Sequence, residues 1–107
     1  MPMPTAITKQ PQIAAAVEAV VRELSPRVRH IRYDIAQDWS GQWAIFFRVL
    51  LSDEASSGNN LRDITTQVVW LMSERLILPE LGLFPYFDFR SESEQSALNE
   101  PEWAAAR

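Results

Sequence analysis

The run Trp43 to Leu51, WAIFFRVLL, predicts a strand that is apolar on both faces. Trp43, Ile45, Phe47, Val49 and Leu51 alternate onto one side, and Ala44, Phe46, Arg48 and Leu50 onto the other. A small sheet gives one face to its helices and normally leaves the other to water. Phe46 and Leu50 on the second face therefore need a cover.

The neighbouring segments supply the rest of the sheet. Residues 27 to 36 alternate, with Ile31, Tyr33 and Ile35 on one side and His30, Arg32 and Asp34 on the other. Asp38 to Gly41 is a polar turn, so this strand and the next form a hairpin. Leu83 to Arg90, LFPYFDFR, is a third strand, and Pro85 assigns it to an edge because proline cannot donate to a ladder.

Two stretches carry helical spacing. After Pro11, Ile13, Val17, Val20, Val21 and Leu24 form one stripe, which Ser25-Pro26 ends. Asn59 or Asn60 opens a second helix, with Leu61, Ile64, Val68, Leu71, Met72 and Leu76 on its apolar side. That helix is expected to run through residue 78, before Pro79 and Gly82. Trp70 falls about 180° from Leu61 at about 100° per residue, with Ile77 beside it. Ser91 and Glu94 fit a capping box for a short C-terminal helix.

The expected fold is α+β: an αββαβ two-layer sandwich with both helices on one face of a three-stranded, mainly antiparallel sheet. Strand order 2-1-3 satisfies the edge position of Pro85. Residues 1–9 are expected to form a flexible arm, 10–90 the single domain, and 91–107 a short helix and tail. The element order over residues 11 to 90 is similar to the soluble domain of cation-efflux transporters and, more loosely, to KH-type RNA-binding domains. The first resemblance implies metal-binding histidines, but His30 is the only histidine. The second implies a Gly-x-x-Gly loop, but Gly41, Gly58 and Gly82 stand far apart. The likeness is one of topology and carries no activity across.

The chemistry of the chain points the same way. It has no cysteine, hence no disulfide and no thiolate site, which fits a reducing cytoplasm. No apolar run reaches the roughly 18 residues of a membrane span. Asp53-Glu54 and Glu92/Glu94 lack the spacing of a calcium loop and are read as a solvated loop and a helix-start bias. His30, among three arginines, is read as a solvated strand residue rather than a base or ligand. There is no nucleophile elbow and no phosphate loop. No cofactor and no metal are expected.

What remains is contact. Nine of the ten basic residues are arginine, and the net charge is −4. Arg32, Phe46, Arg48, Leu50 and Tyr86 on the outer sheet face, with Trp70 and Ile77 on the second helix, are the expected interface. Arginine and aromatics together serve protein interfaces and also stack single-stranded bases. The acidic total favours protein over nucleic acid. A non-enzymatic interaction module is therefore expected, binding a partner or itself as an accessory subunit, inhibitor or antitoxin-like companion. Single-stranded nucleic-acid binding through the same face is the alternative, and an unrecognised enzyme the third reading. A fourth outcome is internal: the C-terminal segment covers Phe46 and Leu50, with Trp103 as plug.

Overall fold

Pro11 occupies the first turn of helix α1, Gln10–Leu24, where its missing N–H costs no helical bond. A computed structural model of the protein describes residues 5–104. Ile13, Val17, Val20 and Leu24 of α1 are buried, as their spacing requires, together with Ala16. Residues 1–4 of the expected arm lie outside the described residues. Thr5–Thr8 form a 3-10 turn, and Ala6 is fully buried in the core. Ala6 thus packs into the core, while Thr8 is exposed.

The chain continues through strands β1, Val28–Gln37, and β2, Trp43–Leu51, to helix α2, Asn60–Arg75, and strand β3, Phe84–Ser91. A short helix α3, Glu92–Leu98, follows, and a 3-10 turn at Pro101–Trp103 closes the described chain. The α+β fold is as expected. The strand order is not: it is β1-β2-β3, with β1 and β2 antiparallel and β2 and β3 parallel. The sheet is thus mixed, and β2, not β1, lies in the middle. The physical reason is α2, which carries the chain back across the sheet and so delivers β3 parallel to the strand it left. This order also leaves Pro85 on an outer strand, and it gives the central place to the strand that is apolar on both sides.

The core lies between the sheet and the two long helices. Ile31, Ile45, Phe47, Val49 and Leu51 meet Ile13, Val17, Val20, Ile64, Val68 and Met72 there. Tyr33, Ile35, Leu71, Phe87 and Phe89 pack around them, partly buried. A bulge between Val28 and His30 inserts Arg29 and lets both Val28 and Ile31 face the core.

Helix α2 is shorter than its pattern. It ends at Arg75, and Leu78–Leu81 form a separate 3-10 turn. The bend buries both Leu76 and Leu78, which one straight helix face would not do. Leu61, expected in the stripe, is exposed in the first turn. Asn59 is the N-cap without a side-chain bond, while Asn60 Nδ2 donates to the Glu54 carbonyl at 3.1 Å. The capping box of α3 is present: Ser91 Oγ accepts from the Glu94 amide, and Glu94 accepts from the Ser91 amide.

Candidate functional site on the outer sheet face

Strand register decides what meets on the outer face. Asp34, Phe46 and Tyr86 are aligned across the three strands, as are Arg32, Arg48 and Asp88, then His30, Leu50 and Arg90. Ala44 and Phe84 complete the face at the hairpin end. Two halves of different chemistry result.

The half near the hairpin turn is aromatic. Phe46 stacks on Tyr86 with ring centres 5.1 Å apart and planes 11° from parallel. Phe84 and Trp39 tilt against the same tyrosine at 5.1 and 5.7 Å. Trp39 is 85% exposed, and Phe84 is also exposed. The turn residue Asp38 organises the group. Its Oδ1 accepts from the Ser40 hydroxyl and amide and from the Gln42 amide, while its Oδ2 accepts from the Tyr86 hydroxyl at 2.9 Å. Those bonds, led by that of the Ser40 side chain, hold the Asp38 carboxyl below its ordinary value. Desolvation, the bond to Asp38 and the nearby negative charge raise the Tyr86 phenol. The tyrosine therefore stays neutral and donates.

The other half is covered. The C-terminal segment lies over it, and Trp103 is only 7% exposed. Arg90 sits over the Trp103 ring, 4.3 Å from its centre, and pairs with Glu100 at 2.6 Å. His30 Nε2–H donates to the Trp103 carbonyl, and Arg32 donates to the carbonyls of Pro101 and Ala104 at 3.0 and 3.3 Å. Leu50 is buried on this side. Trp103 is thus the plug over this half that sequence alone left as one outcome.

The arginines of the face are engaged within the chain: Arg48 pairs with Asp34, Arg32 and Arg90 with the C-terminal segment. Phe46 and Tyr86 are partly buried on this face. Trp70 and Ile77, 59% and 60% exposed, lie on the helical layer and are not brought to this face. Trp39 and Phe84 were harder to read, because only the parallel register of β3 and the Asp38 bond gather them around Tyr86. Replacing Trp70 with alanine should change unfolding free energy by no more than about 0.5 kcal/mol in a denaturant titration. A loss of several kcal/mol would place the indole in the core.

Helix α3, which leads to the covering segment, is pinned at its start. Ser93 donates from its amide and hydroxyl to Asp53 at 2.9 and 2.6 Å, and Arg29 pairs with Glu92 at 2.9 Å. The Ser93 hydroxyl first, then its amide and the charge of Arg29, lower the Asp53 carboxyl from its ordinary value. A carboxyl depressed in the folded state stabilises above its unfolded value and loses that contribution as pH falls through the folded one. The Ser93 amide should therefore stay protected through the ordinary carboxylate range and be released only below it. An NMR titration of that amide checks this; release within the ordinary range would contradict it.

No group of three or more histidine, cysteine, aspartate or glutamate side chains suited to a metal ion occurs among the described residues. No helix among them is long and apolar enough to cross a membrane. No protein-family model matches the chain, and comparisons with curated proteins and with solved structures find no similar one.

Proposed function

We propose that the chain is a protein-interaction module whose partner docks on the aromatic half of the outer sheet face. The observation that carries this reading is the cluster of Trp39, Phe46, Phe84 and Tyr86 gathered on one surface, with Trp39 and Phe84 exposed. Rigid aromatic side chains bury much area for little lost freedom and dominate protein interfaces. A base-stacking platform would also need free cations for phosphates. Here Arg32, Arg48 and Arg90 already have partners in the chain, and the net charge is −4. Those two facts favour a protein over a nucleic acid. The same reading assigns the chain an accessory, inhibitory or antitoxin-like role in the cytoplasm.

Native mass measurement of the protein purified from its own cells tests this. A stoichiometric complex with another protein, or with a second copy, is expected. Co-purification with RNA and no protein would overturn the proposal in favour of single-stranded nucleic-acid binding.

A further inference from the structure

The covered half of the sheet shows its own occupant. The segment from Glu100 to Ala104 is held mainly through its backbone: three of its carbonyls accept from His30 and Arg32. Two of its side chains are used, Glu100 paired with Arg90 and Trp103 with its ring under the Arg90 guanidinium. Glu102 is exposed. Recognition by carbonyls, one acid and one indole makes few demands on sequence.

The segment is also separable from the fold. Neither Trp103 nor Leu50 belongs to the main core cluster between sheet and helices. Helix α3 buries none of its own residues, and Asn99, at φ 51°, forms a left-handed joint just before the segment. Among the described residues, lifting the segment beyond that joint breaks outer-face contacts and the bond from Gln95 Nε2 to the Glu100 carbonyl.

We propose that His30, Arg32, Leu50 and Arg90 form a peptide-docking site, which the chain fills with its own residues 100–104. A partner segment with an acid and a tryptophan in the same spacing exchanges with it. The occupant carries an acid beside its tryptophan because Arg90, which pairs with Glu100 and lies over the Trp103 ring, presents its charge to both. The site is distinct from the aromatic half and does not rest on what docks there.

The test uses the full chain and a labelled peptide, ALNEPEWA, copied from residues 97–104. The peptide should bind Trp103→Ala, whose own segment has lost its anchor. It should bind the wild type at least about tenfold more weakly, because a tethered competitor acts at an effective concentration of order millimolar. Glu100→Lys, at an exposed position, should give intermediate binding and guards against loss of fold in the first variant. Adding Arg90→Gln, or changing the peptide tryptophan to alanine, should abolish binding. Failure of the peptide to bind either opened variant at about millimolar concentration overturns the proposal. Equal binding to wild type and variants, or binding that survives Arg90→Gln, overturns it too, since the peptide then sits elsewhere.

Discussion

Replacing Phe47 with alanine is expected to cost the domain about 3–5 kcal/mol. Phe47 is 1% exposed and lies in the central strand, paired with Tyr33 on one side and Phe87 on the other. Its ring stacks on Phe87 at 4.8 Å, and the helices close the space above it. Truncation removes the largest fully buried side chain and leaves a cavity that three elements cannot all move to fill. Small domains are stable by only about 5–15 kcal/mol in total, so the variant should be near its unfolding limit. Urea titration at constant slope measures the loss. A change below about 1 kcal/mol would mean that the site relaxes or is not the centre of the core.

Changing Phe46 to aspartate, one residue away, should do the reverse. The fold should persist, because Phe46 faces away from the helices and lies outside the core cluster. It should lose the stack on Tyr86, a term of about 0.5–1.5 kcal/mol. Partner binding should fall by more than about thirtyfold, the usual consequence of removing an aromatic anchor from the middle of an interface. Circular dichroism and partner pull-down on the same preparation separate the two effects. An unfolded variant would show that the aromatic half is internally required. Tight RNA binding by wild type at physiological salt, lost in the variant, would transfer the site to nucleic acid.

Much of this architecture was legible because period and chemistry agreed. Ile31, Ile45, Phe47 and Val49 announced the buried face by alternation, and Ile13, Val17 and Val20 announced the helix that covers it. Pro85 marked an outer strand. The order of strands was not legible, since Pro85 is satisfied by either arrangement and pairing partners leave no local trace. The bend at Leu76 was hidden because a helical spacing continues through it. Parity placed Phe46 on the outer face, but it could not decide whether Leu50 beside it is covered. Its cover, Trp103, lies 53 positions away in sequence, and no local rule links the two. Asp38 looked like an ordinary turn residue until β3 brought a phenol to it.

The bulge in β1 and the proline in β3 have a consequence for assembly. Both margins of the sheet are outer strands, and each carries one of these interruptions. Growth by strand addition, whether into fibrils or into a continuous sheet shared by two copies, needs an unbroken row of free donors and acceptors. Arg29 disturbs that row on one side, and Pro85 removes a donor on the other. The molecule is thus defended along both margins against templating its own kind.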